Sequence, residues 1–316
     1  MSLVDAEAME KLHFEHVDLL LIDPAASARD TLKNILYNQG FRNLHLGTSL
    51  DEIREHMNHS MPDLLISETE LDGGDFCEFV TKLRHHDVGN NPFLPVIGLT
   101  WEPTPDRVRN VVNAGVDDLL TKPLSTGHLV SRIKALVRAR KPFVVTSEYI
   151  GPDRRSLEER ESGVPQLEVP NTLKVKATGQ EHSIDVVEEI NSVVAEINVQ
   201  KLERYGVQIG FLVDHILPNL EKGVVDSTNE AFLDRLLAVA QDTSRRLVGT
   251  KYAHISELCS SLVKVTESIL ASKSDPNSRD VKLLAPLSQA IKAAFSTDDE
   301  QTAAAARKIH SQIGKS

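Results

Sequence analysis

Cysteine is scarce in this 316-residue chain, with Cys77 and Cys259 far apart in sequence. That excludes a disulfide framework and a paired-cysteine metal site. Two small buried residues in a reducing compartment are the expectation. Aromatic residues are also few, at 4%, so any core must be mostly aliphatic. Positive charge is outweighed: 35 Lys and Arg face 46 Asp and Glu, for a formal net charge of −11. Phosphate contacts need clustered cations, so nucleic-acid binding by the whole chain is not expected. No apolar run approaches the ~18 residues that a membrane helix needs, so membrane insertion is not expected either. The first sixteen residues lack a basic start followed by an apolar stretch, the pattern of a signal peptide. A cytoplasmic protein is expected.

What is present suffices for two domains of ordinary size, with 41% hydrophobic and 26% charged residues. In the first half, short apolar runs alternate with helical patterns. The runs are VDLLLID (17–23), NLHLGTS (43–49), PDLLISE (62–68), FLPVIGLT (93–100) and DLLTKP (118–123). Such uninterrupted runs suit strands covered on both faces. Between them, Leu32, Ile35 and Leu36, then Leu50, Ile53 and Met57, then Phe76, Phe79, Val80 and Leu83, recur at helical spacing. The expected fold is α/β, a doubly wound five-stranded parallel sheet with helices on both faces. Ligands of such sheets sit beyond the carboxyl ends of the strands. Four strands there end in a polar residue: Asp23, Glu68, Thr100 and Lys122.

The segments LLLIDPAASAR, PDLLISE, PVIGLT and AGVDDLLTKP, in that order, make residues 15–140 resemble the receiver domain of bacterial two-component response regulators (CheY-like). The resemblance implies that the third strand should end in a phospho-accepting Asp, where this chain has Glu68. It implies two consecutive acids for Mg²⁺ after the first strand, where Asp23 is followed by Pro24. The hydroxyl is kept as Thr100 and the lysine as Lys122, before Pro123. The aromatic switch of the fifth strand is replaced by Leu119. Mg²⁺ wants near-octahedral oxygen ligation, and in-line phosphoryl transfer tolerates little misplacement. Efficient phosphorylation and Mg²⁺ binding are therefore not expected. Nor are a catalytic residue, another cofactor or a metal-ligand set; His13, His16, His85 and His86 lack suitable spacing. Glu68 is read either as pairing with Lys122 and switching nothing, or as holding the domain in a switched-on form. Asp23 is read as a rim acid paired with Lys122, and Thr100 as a cap of the turn before Pro103.

Residues 1–14 read as a tail and 141–181 as a linker with extended pieces, rich in proline and glycine. Its GPDRR tract (151–155) offers Arg154 and Arg155 as a docking clamp for carboxylates or phosphates, against the plainer reading of a solvated linker balanced by Glu158, Glu159 and Glu161. From 182 on the pattern is helical. Ile184, Val187, Ile190, Val194 and Ile197 form one stripe, residues 227–272 form a second long run opened by a Ser227/Glu230 capping box, and two shorter helices follow. A bundle, or a homodimer completed by a second chain, is expected. His254, in KYAHISELCSSLVK, is a minor phosphotransfer candidate, and His310 a lesser one. The expected function is a non-enzymatic signalling adaptor: a degenerate receiver joined to a helical output domain, with protein partners. The alternatives are a phosphorelay component modified at Glu68 or a histidine, and, more weakly, a DNA-binding effector.

Overall fold

The computed structural model describes residues 12–155, 164–180, 185–223, 225–272 and 276–296. By internal contacts the chain divides into two compact units, Met1–Val193 and Val194–Ser316.

The first unit is built on a five-stranded parallel sheet in the order β2-β1-β3-β4-β5. Its strands are β1 (Asp18–Ile22), β2 (Asn43–Gly47), β3 (Leu64–Glu68), β4 (Val96–Thr100) and β5 (Asp118–Thr121). Helices α1 (Ala26–Asn38), α2 (Leu50–His59), α3 (Phe76–Arg84), α4 (Pro105–Ala114) and α5 (Thr126–Arg138) connect and follow them. The fourth strand starts three residues later than its apolar run, because Pro95 has no N–H to donate to a ladder. Alternation along β1 splits the core in two. Leu19 and Leu21 pack with Leu32, Leu36, Leu129 and Ile133 on one face. Leu20 and Ile22 pack with Ile53, Met57, Phe79 and Val111 on the other. The helix starts are set by side-chain caps: Ser49, Asp75, Thr104 and Ser125 each accept a backbone N–H from the first turn they precede. Gly115 ends α4 at φ 98°, a left-handed turn that a β-carbon would strain. These caps fix where each loop leaves the carboxyl edge of the sheet.

Residues 141–181, expected as a linker, carry a second, three-stranded sheet and a short helix. Strand β6 (Phe143–Val145) lies between β7 (Ile150–Pro152) and β8 (Gln166–Leu167), and α6 (Thr172–Ala177) follows. Phe143, Val144, Val145 and Ile150 are buried, and Leu173 and Ala177 of α6 enter the same core as Leu19 and Leu21. The prolines and glycines that suggested a linker instead bound strands only two or three residues long. Residues 158, 159 and 161 lie outside the described residues, as do 1–11 and 297–316, which include His310 and the last expected helix.

The second unit is helical among its described residues: the continuation of α7 (Val186–Leu220), then α8 (Ser227–Arg246), α9 (Ser256–Ala271) and α10 (Ser278–Ser296). Their facing stripes share one core that includes Ile209, Ile216, Leu236, Leu262, Ile269, Leu284 and Ile291. Two expectations are corrected here. The run 227–272 is broken by a turn in which Gly249 takes φ 76°, so it forms two helices. The cap of α8 is Asp226, whose carboxylate accepts the N–H of Asn229, and not Ser227. A carboxylate one position earlier is the stronger acceptor at a helix N-terminus.

Candidate functional site

The carboxyl edge of the five-stranded sheet gathers the polar strand ends. Asp23 follows β1, Glu68 closes β3, Thr100 closes β4 and Lys122 follows β5. All four are almost fully buried. The Lys122 ammonium lies between the two acids. It donates to Glu68 Oε2 at 2.5 Å and also to Asp23 Oδ2. The remaining oxygens are taken as well. Glu68 Oε1 accepts the Thr69 N–H at 2.8 Å, and Asp23 Oδ1 accepts the Ala25 N–H at 2.9 Å. Two anions and one cation are thus removed from water together, an arrangement tolerable only because each oxygen has a donor.

The neighbours complete the picture. Thr100 Oγ1 accepts the Glu102 N–H at 3.2 Å, so this hydroxyl caps its own turn. Among the described residues, no hydrogen bond joins this hydroxyl to Glu68. The Trp101 ring, half exposed, sits with its centroid 5.4 Å from Lys122 Nζ, within cation–π range. Pro24 lines a cleft of about 700 Å³ beside the acids, with Thr69, Asp72, Asp75, Thr104 and Arg107. Arg107 pairs there with Glu70. Leu119 is partly buried against the core on the α2–α4 side.

A second polar hub lies at the opposite, amino edge, and sequence reasoning missed it. Arg84 is buried in α3 and donates to the carbonyls of Gly115, Pro92 and Leu94 at 2.7–2.8 Å, and to Asp117 Oδ2 at 3.0 Å. Asp117 also binds Arg140 and the Val96 N–H. Burial pushes the Arg84 guanidinium down to about 10, against the opposing pull of Asp117. Of the two Arg of GPDRR, Arg154 docks onto this edge and Arg155 braces its own segment. Arg154 donates to the carbonyls of Val116 and Asp117, and Arg155 grips Asp153 and the carbonyl of Val164. The Arg155 hydrogen bonds hold the Asp153 carboxyl far below the usual range. Both arginines thus engage this chain's own backbone carbonyls or carboxylate. The doubled acid at 117 and 118 was the available signal, but its spacing gives no hint that Asp117 turns under the sheet.

His254 is also corrected. It lies in a 3₁₀ turn, Ala253–Ile255, between α8 and α9, with Nδ1 3.2 Å from the Lys251 carbonyl oxygen. The glycine turn that splits the long run takes it out of the mid-helix setting expected for a phosphocarrier.

The family match lies within the first unit. Residues 19–134 match the response regulator receiver domain, and these residues form a receiver domain of that family, the signalling module of two-component systems. Over 128 residues the chain is 31% identical to the phosphate regulon transcriptional regulatory protein PhoB of Escherichia coli, covering 40% of this chain and 54% of PhoB. It is 29% identical to the virulence transcriptional regulatory protein PhoP of Salmonella typhi, over 52% of this chain and 69% of PhoP. The chain thus spans about half the length of PhoB. Among solved structures, a two-component response regulator from Clostridium difficile is 27% identical over 39% of this chain and 97% of that one, with a TM-score of 0.35.

Proposed function

We propose that the first unit is a pseudo-receiver: a non-enzymatic, protein-binding module of a two-component-type signalling protein, with the helical region as its output or dimerisation part. The observation that carries this reading is the Lys122 ammonium bonded to both Glu68 and Asp23. In a working receiver the pocket must hold Mg²⁺ by oxygens and present a carboxylate for attack. Here one of the two acids expected after β1 is Pro24, and both remaining carboxylates are engaged by the lysine. The residues present do not fit Mg²⁺. Thr100 turned to Glu102, and Leu119 in place of an aromatic, support a pocket that is static rather than locked in a switched-on form. The 3₁₀ setting of His254 removes support from a phosphotransfer role for the helical region.

The experiment is labelling with acetyl phosphate and Mg²⁺ of the wild type and of the Pro24→Asp, Glu68→Asp double variant. The expected result is no label on the wild type and label on the double variant. Stoichiometric label on wild-type Glu68 would overturn the reading. Protein partners and a homodimer through the helical region belong to the same proposal, tested by pull-down and light scattering on the full chain.

A further inference from the structure

The strand register assembles a second cluster away from the acid pocket. β2 is the edge strand, and it pairs with β1 so that Asn43 faces Asp18 and His45 faces Leu20. Side chains at i and i+2 share a sheet face, so Asp18 and His45 point to the same side. That side is covered by α2, whose Ile53 and Met57 pack on Leu20 and Ile22. His56, three residues after Ile53, therefore comes down over the sheet edge.

The result is close. His45 Nε2 is 3.0 Å from Asp18 Oδ1, His56 Nε2 is 3.9 Å from Asp18 Oδ2, and the two imidazole centroids are 4.3 Å apart. One donor atom from each of the three residues lies within 4.8 Å of the others. Tetrahedral Zn²⁺, bound at ~2.0–2.1 Å by nitrogen and carboxylate oxygen, needs donors ~3.3 Å apart; His45 Nε2 lies 3.0 Å from one Asp18 oxygen and His56 Nε2 3.9 Å from the other. A second observation points the same way. His56 Nε2 is shielded from solvent and makes no hydrogen bond, and the shielded Asp18 Oδ1 has His45 Nε2 facing it at 3.0 Å. A shielded polar atom without a hydrogen bond costs free energy, so an ion at this point would satisfy His56 Nε2 while joining the Asp18 carboxylate. The position of Asp18 is also built in. Its N–H donates to Asp63 Oδ2 at 2.8 Å, and its carbonyl accepts the Asp63 N–H at 2.8 Å. That backbone pairing leaves the Asp18 carboxylate to face the histidines. Access is open, because the His45 side chain is 48% exposed and a cleft of about 490 Å³ lined also by Glu52, Glu55 and His59 adjoins the cluster.

We propose that Asp18, His45 and His56 bind one late first-row divalent metal ion of the Zn²⁺ class, clipping α2 to the edge strand. Two imidazoles and one carboxylate form a donor set for Zn²⁺ rather than for Mg²⁺, which takes all-oxygen ligation. The fourth position opens on the cleft. This site is independent of the receiver pocket and of its proposed silence.

The test is titration of the full-length chain with ZnCl₂ against a chromogenic chelator at about pH 7.5, where imidazole is mostly neutral. Wild type, His45→Ala, His56→Gln and a His85→Gln, His86→Gln control are compared. The wild type should bind one ion more than His45→Ala or His56→Gln, while the control keeps the wild-type number. The same ion should raise the thermal midpoint of the receiver, followed by Trp101 fluorescence, in the wild type and not in His45→Ala. If His56→Gln fails to fold, the His45→Ala comparison decides. Equal stoichiometry and affinity in wild type and His45→Ala would overturn the proposal, as would loss of the ion only in the control.

Discussion

Replacing Lys122 by Met keeps the length of the side chain and deletes the cation. Asp23 and Glu68, 1% and 4% exposed, would then be two facing buried carboxylates without a counter-charge. Removing one partner of a buried ion pair costs about 3–5 kcal/mol, because the surviving charge stays desolvated. The chain's single tryptophan, Trp101, lies beside Lys122, so urea unfolding followed by its fluorescence reports this unit. Adding Glu68→Gln to the Lys122→Met variant should recover part of the loss. A loss below about 1 kcal/mol at neutral pH, typical of a solvent-screened pair, would refute the buried-triad argument.

Asp117→Ala leaves Arg84 and Arg140 without their shared carboxylate and should cost the receiver about 3–5 kcal/mol in the same urea assay. Gly206→Ala would place a β-carbon 2.6 Å from the Phe295 ring, and overpacking of that kind should cost the helical unit about 1–3 kcal/mol by circular dichroism. Burial, and then Arg246, lower the Lys201 pKa to about 7 from its ordinary 10.5. Between those values the unfolded chain binds more protons than the folded one, so stability of the helical unit should rise from pH 7 towards 9. Lys201→Met should remove that rise in urea titrations at the two pH values.

The receiver fold was legible because the central strands β1, β3 and β4, covered on both faces, had to be apolar runs such as LLLI or VIGLT. Its site was legible because a parallel sheet sends the residue after each run to one edge, and Asp23, Glu68, Thr100 and Lys122 stand there. Asp23 and Glu68 pair with Lys122 and Thr100 caps its own turn, each among the alternatives that residue type and place had left open. What lay hidden depended on contacts between segments. Strands β6 and β7 are three residues long, too short for a period, so the docking of GPDRR could not be read from its composition. Arg84 looked like one more charge at a helix end, although it is buried against three carbonyls and Asp117. Asp18, His45 and His56 meet only through the β1–β2 register, which no local pattern encodes. His254 was misplaced because one glycine turn outweighed a long helical stripe.

The most direct measurement is a Mg²⁺ titration of the full chain followed by Trp101 fluorescence, since the indole sits 5.4 Å from the lysine that occupies the space between the acids. No saturable change is expected for the wild type through millimolar Mg²⁺, while the Pro24→Asp, Glu68→Asp variant should acquire one. A saturable wild-type response that disappears in Asp23→Asn would contradict the account.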